Sequence, residues 1–217
     1  PLIGFVPWAV PANIITIISN LFIYLGLFLA LRPQWIGTLN PIFIAACLII
    51  YLIGDHLDGM QAKRTGTGSA LGEFCDHYLD AFNNGIIVFM MFTVFDIHRP
   101  AAMAGVIVIS YWAHMAVFYE QFKTGWLTFE RIGSLEGVLL SALLIGFTIL
   151  EPFYALMTFR VTGTITVAEV FIGGSTLGAF MTFIQTARRT PAIMGGYWIF
   201  VVLMILVAVS GMLVFNN

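Results

Sequence analysis

Charge is what this chain of 217 residues has least of: Asp, Glu, Lys and Arg together make up 9% of it. A soluble domain of this length carries nearer a quarter. Nine basic residues against eleven acidic ones leave a net charge of −2, which by itself decides nothing about nucleic acid; no basic patch is present, and no nucleic-acid partner is expected. Cysteine is nearly missing too. Cys47 and Cys75 both fall in apolar runs and read as small buried hydrophobes, so no disulfide framework is expected. Internal repeats and low-complexity tracts are lacking, which excludes a solenoid and points to one compact helical domain over residues 1–217. The chain opens on Pro1 rather than methionine, which reads as a trimmed start, and no cleavable signal peptide is expected in it.

What is abundant is apolar surface: 60% of residues, with 20 Phe and a mean hydropathy of +0.97. It comes in long runs, the mark of an all-α, multi-pass membrane protein. Residues 1–12, broken by Pro1, Pro7 and Pro11, are too short to span and read as an interfacial segment, with Trp8 at the headgroup boundary. Seven runs are long enough to cross: 13–31, 41–63, 70–96, 101–121, 134–157, 165–187 and 192–214. A six-helix core over 13–187 and a seventh span at 192–214 are expected. With the amino terminus inside, Lys63, Arg64, Lys123, Arg131, Arg188 and Arg189 face the cytoplasm, against Arg32, Arg99 and Arg160 outside.

Into this apolar chain is set one polar stretch, Gly54 to Asp80, holding Asp55, His56, Asp58, Glu73, Asp76, His77 and Asp80. Asp55 and Asp58 are three apart and Asp76 and Asp80 four apart, so each pair shares a helix face. The intervening Arg64-Thr65-Gly66-Thr67-Gly68-Ser69 reads as a tight connection. About residue 67, Asp58 and Asp76 are equidistant and Asp55 and Asp80 nearly so. In an antiparallel hairpin, four carboxylates would meet at matching heights on the cytoplasmic side.

Such acids are costly inside a spanning helix, at least about 2.5–3.5 kcal/mol each on insertion scales. Pairing with Lys63 and Arg64 is the competing account, but two cations cannot neutralise four anions. A divalent ion, or two, answers the charge, and an all-oxygen donor set selects hard ions such as Mg²⁺ or Mn²⁺. Gly59, beside Asp58, and Gly72, one turn before Asp76, leave room either for a ligand against the backbone or for close helix packing. Intramembrane acids also mark ion paths, so a cation- or proton-coupled transporter is the rival reading. That reading expects acids spread over the membrane depth.

The order Asp55-x-x-Asp58-Gly59-x-x-Ala62-Lys63, eight residues, Gly72-x-x-x-Asp76-x-x-x-Asp80 resembles the signature of the CDP-alcohol phosphotransferases. It departs at Lys63, where the family usually has arginine. The resemblance implies a membrane enzyme that moves a substituted phosphate from a CDP-linked donor to a hydroxyl and releases CMP. Asp55, Asp58, Asp76 and Asp80 would hold two divalent ions, with Asp80 the candidate base. Gly59, Ala62, Gly72 and, near the phosphate, Lys63 would line the CMP site. Homodimers are a further family expectation.

Within the family, Gly72-Glu73 before the third aspartate and His77 after it are similar to the choline and ethanolamine branch, which implies a diacylglycerol acceptor. Glu73, His77 and Asp80 share a helical face, so Glu73 or His77 could share or take the base role. Pro11-Ala12-Asn13-Ile14-Ile15-Thr16 is similar to the family's Pro-Asn-x-x-Thr entry with one alanine inserted; Asn13 reaches the nucleotide or caps a helix. Tyr119-Glu120, Thr124-Gly125, Leu127 and Ile132 to Gly137 resemble a connection of the same branch, with Glu120 and Glu136 at the substrate mouth or solvated in a loop. Phosphatidyl transfer from CDP-diacylglycerol to a small polar alcohol is the alternative within the family.

Overall fold

The computed structural model describes residues 2–126, 134–189 and 195–215. Leu127, Arg131, Ile132 and Gly133, singled out above, lie outside the described residues, as does the stretch before residue 195 at the start of the last run. Among the described residues eight α-helices follow one another: α1 Ala12–Leu31, α2 Asn40–Thr65, α3 Ala70–Val94, α4 Pro100–Thr124, α5 Ser134–Phe147, α6 Glu151–Thr158, α7 Val167–Arg189 and α8 Gly195–Phe215. Among the described residues there is no strand, only an isolated bridge between Arg160 and Thr166. The all-α membrane bundle expected from the apolar runs is the fold found.

α1, α2, α4 and α7 are long and apolar enough to span by themselves. α3 has the length, 25 residues, but its first half carries the polar cluster. The expected uninterrupted run over 134–157 is instead two helices, α5 and α6, bent by 117°. Pro152 is the cause. A continuous helix would need its missing N–H to reach the Thr148 carbonyl, and its ring would press on that same carbonyl. The chain tightens instead into three-residue turns, with Thr148 and Leu150 N–H donating to the Ile145 and Phe147 carbonyls, both at 3.0 Å.

Contacts gather in two compact units, Pro1–Val94 with Ser134–Ala155 and Phe95–Gly133 with Leu156–Asn217. In the first, α1 lies along α2, α2 against α5, and α3 against α1 and α5. Small residues make these contacts close: a Cβ on Gly54 would fall 2.5 Å from the Ser19 Cβ, and one on Gly146 3.1 Å from the Ala45 Cβ. The polarity is that of a lipid-facing bundle. Ile17, Ile18, Leu21 and Leu25 point outward from α1, while Ser19, Asn20, Asp58, Gln61 and Asn83 are buried inside.

The amino-terminal segment contains only one turn of 3₁₀ helix, Leu2–Phe5, and is tied to the end of α2. Gln61 Nε2 donates to the Pro7 and Val10 carbonyls at 3.0 and 2.8 Å. Arg64 donates to the Ile3 and Val6 carbonyls, and its guanidinium lies 4.2 Å over the Trp8 ring. α2 stops at Gly66, whose φ of +67° is the left-handed conformation that ends helices. α3 starts on Ser69, whose Oγ accepts the Gly72 N–H at 3.1 Å.

In the second unit α7 and α8 pack on α4 around Ala113, Ala116, Phe183, Tyr197 and Val201. Ion pairs close this unit at two levels, Arg99 with Glu169 at 3.0 Å and Arg189 with Glu120 at 2.6 Å. Both cysteines, in the first unit, are free; Cys47 is buried as expected, but Cys75 is exposed on α3.

Candidate active site

The hairpin of α2 and α3 brings acids from its two arms together. Asp55, Asp76 and Asp80 each offer a carboxylate oxygen within 4.8 Å of the others, and all three are half-buried. Asp58 is held differently. It is buried, and its Oδ2 accepts the Thr16 hydroxyl at 2.6 Å, a bond from α1 rather than from either arm. It remains within electrostatic reach of Asp76 and Asp80. Three of the four expected carboxylates thus converge, and the fourth stands beside them on a hydroxyl.

Among the described residues no Lys or Arg pairs with these acids. The exposed His56 ring lies 3.8 Å from Asp55 Oδ2. Arg64, the cation of the competing account, is spent on carbonyls of the amino-terminal segment and on Trp8. That use also bars it from replacing the arginine missing at position 63. Lys63 is exposed and makes no ion pair among the described residues. Three carboxylates this close cannot all carry charge without cations, and the donors are all oxygen. The chemistry of the residues fits a hard divalent ion.

Two residues not singled out in the sequence hold this cluster. Tyr51, one turn before Asp55 on α2 and 4% exposed, donates its hydroxyl to Asp80 Oδ1 at 2.8 Å. Thr16 is the other. Their signal was slight: a tyrosine four residues before the first aspartate, and a threonine inside an entry motif quoted for its asparagine.

At the mouth of the hairpin, two of the expected nucleotide residues, Asn13 and Gly72, come together. A Cβ on Gly72 would lie 3.7 Å from Asn13 Oδ1 and 3.1 Å from Ser69 Oγ, while one on Gly59 would meet nothing within 4 Å. Space is open beside Gly59 and tight at Gly72. Asn13 is exposed, and no side chain caps α1, so capping is not its task. Ala62 is half-buried on the last turn of α2 before Lys63. On α3, Glu73 is exposed and His77 half-buried, and His77 lies within electrostatic reach of both Glu73 and Asp80.

The two expected mouth acids fare differently. Glu136 is exposed on the first turn of α5. Glu120 is 3% exposed, and both its oxygens are taken by Arg189, from Nε at 2.8 Å and Nη2 at 2.6 Å. A carboxylate so gripped ties α4 to α7.

A helical membrane protein with an unneutralised acidic hairpin at its polar centre belongs to a small class, those that handle a charged group at the membrane. The comparison with known proteins is specific about which. Residues 9–174 match the family model for CDP-alcohol phosphatidyltransferase, and the chain belongs to that family. Over 150 residues it is 27% identical to an uncharacterized CDP-alcohol phosphatidyltransferase class-I family protein of Schizosaccharomyces pombe, covering 64% of this chain and 38% of that protein. It is 28% identical over 139 residues to a CDP-diacylglycerol–serine O-phosphatidyltransferase of Encephalitozoon cuniculi, covering 61% and 36%. It is 30% identical over 101 residues to a human ethanolaminephosphotransferase, covering 43% and 23%. The chain therefore spans well under half the length of these relatives. The transporter reading finds no support in any of them.

Proposed function

We propose that this chain makes phospholipid by moving phosphoethanolamine or phosphocholine from its CDP-alcohol to diacylglycerol, releasing CMP. The observation that carries the reading is the meeting of Asp55, Asp76 and Asp80 within 4.8 Å without a basic partner among the described residues. Family membership supports the phosphotransferase class, and the human ethanolaminephosphotransferase supports this branch of it.

Asp55, Asp76 and Asp80, with Asp58 beside them, would hold two divalent ions, Mg²⁺ or Mn²⁺. Bound there, the ions supply Lewis-acid charge for the donor's diphosphate. The protein's part is orientation and proton transfer. Thr16 fixes Asp58, and the open backbone at Gly59 together with Asn13, Ala62 and Gly72 admits the nucleotide. Lys63 brings a positive charge to its phosphate. Asp80, with His77 and Glu73 on the same face of α3, takes the proton of the acceptor hydroxyl. The hydroxyl oxygen bonds to the β-phosphorus as the bridge between the phosphorus atoms breaks, and the bridging oxygen leaves on CMP. An apolar groove lined by Leu2, Leu52, Leu57, Met60 and Leu135 runs beside His56, next in sequence to Asp55, and suits a lipid chain near the site. A cytoplasm-facing site, and a homodimer, complete the reading.

A second reading has its own support. The Encephalitozoon relative's name assigns it the reverse logic, in which CDP-diacylglycerol gives up its phosphatidyl group. One experiment separates the two. Purified protein is given CDP-ethanolamine or CDP-choline with diacylglycerol, or CDP-diacylglycerol with serine, each with Mg²⁺, Mn²⁺ or EDTA, and CMP is measured. Metal-dependent CMP release from the first pair is expected. Lipid formed only from CDP-diacylglycerol would replace the first reading with the second, and no CMP from any donor would sink both.

A further inference from the structure

Asp80 sits in the acidic cluster, and its carboxylate is held from across the hairpin. The last torsion of an aspartate is broad and roughly two-fold, so the group turns unless a neighbour holds it. The neighbour comes from α2. The Tyr51 hydroxyl donates to Asp80 Oδ1 at 2.8 Å, across a separation of 29 residues. Tyr51 is buried, and a buried hydroxyl without a partner costs free energy, so the bond is strongly preferred over none. A phenol has one proton to give. Given to Oδ1, it fixes the direction of the remaining oxygen.

The setting of α3 at this height is also fixed from α1. Asn83, one turn past Asp80 and fully buried, donates to Asn20 Oδ1 on α1 at 2.6 Å. Asn20 in turn donates to the Thr16 carbonyl at 2.8 Å, and the hydroxyl of that same Thr16 holds Asp58. α1 therefore grips α3 and Asp58, and α2 grips the Asp80 carboxylate itself.

We propose that Tyr51 is a positioning residue for Asp80, aiming its carboxylate into the cluster by holding one oxygen from the facing helix. This rests on the reading that the cluster binds divalent ions, and its test keeps the two apart. Partners that orient metal ligands typically matter 10–100-fold in affinity or activity.

Full-length protein in detergent is titrated with Mn²⁺ alone, followed by the loss of free Mn²⁺ signal in electron paramagnetic resonance. Wild type is compared with Tyr51→Phe, which keeps the ring and removes only the hydroxyl. Mn²⁺ affinity is expected to fall about 10–100-fold, whatever the change in the metal-free melting temperature. A merely structural hydroxyl would give a lower metal-free melting temperature with unchanged Mn²⁺ affinity, and would overturn the inference. Wild type that binds no Mn²⁺ overturns the proposed function, and this inference with it. In an Asp80→Asn background, Tyr51→Phe is expected to cost nothing further, because it acts through Asp80; additive losses would also overturn it.

Discussion

The acids of the two compact units live under opposite terms. In the second unit Glu120 is gripped by Arg189, and Glu169 by Arg99 and by the first turn of α7. In the first unit Asp55, Asp76 and Asp80 crowd within 4.8 Å with no Lys or Arg pairing with them among the described residues; their neighbours include the Tyr51 hydroxyl and the His56 and His77 rings. A carboxylate answered by arginine has finished its work once the chain is folded. A cluster left unanswered must either keep protons or take a cation from outside. The location of the missing positive charge, more than the number of acids, separates a strut from a site.

Metal removal tests that contrast most severely. Dialysis against EDTA is expected to reduce CMP release to background, and Mg²⁺ or Mn²⁺ to restore it. Persistent turnover in EDTA would break the distinction. Next in size is Asp80→Asn. Loss of a base costs about 10²–10⁴-fold in rate, so kcat is expected to fall by that factor while donor binding, measured by nucleotide protection from proteolysis, largely survives. Full activity in this variant would remove Asp80 from the chemistry.

On the other side of the contrast, Glu120→Gln strands Arg189 beside a neutral amide. Breaking a buried pair costs about 3–5 kcal/mol, and the lower end is expected because the Arg189 side chain is 37% exposed. The loss should appear as a lower melting temperature, with turnover per folded molecule retained. Lost turnover at unchanged stability would instead return Glu120 to the substrate. A smaller effect is expected for Lys63→Ala, about tenfold in KM for the CDP donor and little in kcat, with Lys63→Arg restoring it. A fall in kcat alone would mean that Lys63 serves the transition state rather than the ground state.

The hairpin was legible because its evidence is local. Spacings of three and four, a polar connection and a resumption of apolar residues put two acidic turns opposite one another, and Gly66 ends α2 one residue from the expected apex. What escaped was non-local. Nothing near Asp58 announces that a hydroxyl 42 residues away will hold it, nor that Tyr51 will cross to α3. Arg64 looked available to the aspartates by proximity in sequence, but the amino-terminal segment folds back and takes it. The break before α6 comes from Pro152, which apolar run length does not register. Hydropathy measures what a segment prefers to touch and is silent about whether its backbone can stay helical.

The Arg99–Glu169 pair sets the lower end of the scale. Glu169 does not depend on Arg99 alone: its Oε2 accepts the Thr166 N–H at 2.7 Å, while the Thr166 Oγ1 accepts the Glu169 N–H at 3.3 Å. That reciprocal arrangement caps α7 and keeps its acid satisfied with or without the arginine. Arg99 is 41% exposed, where solvent screens the pair and can rehydrate the guanidinium. Arg99→Ala is therefore expected to cost about 0.2–1 kcal/mol, read as a small drop in melting temperature with no change in CMP release. A loss as large as that of Glu120→Gln would mean that solvent does not reach this pair, and that burial of the acid alone does not distinguish the two struts. A loss of activity would be the graver result, because an acid with both an arginine and a helix cap would then be serving the reaction, and an unanswered charge would no longer mark the site.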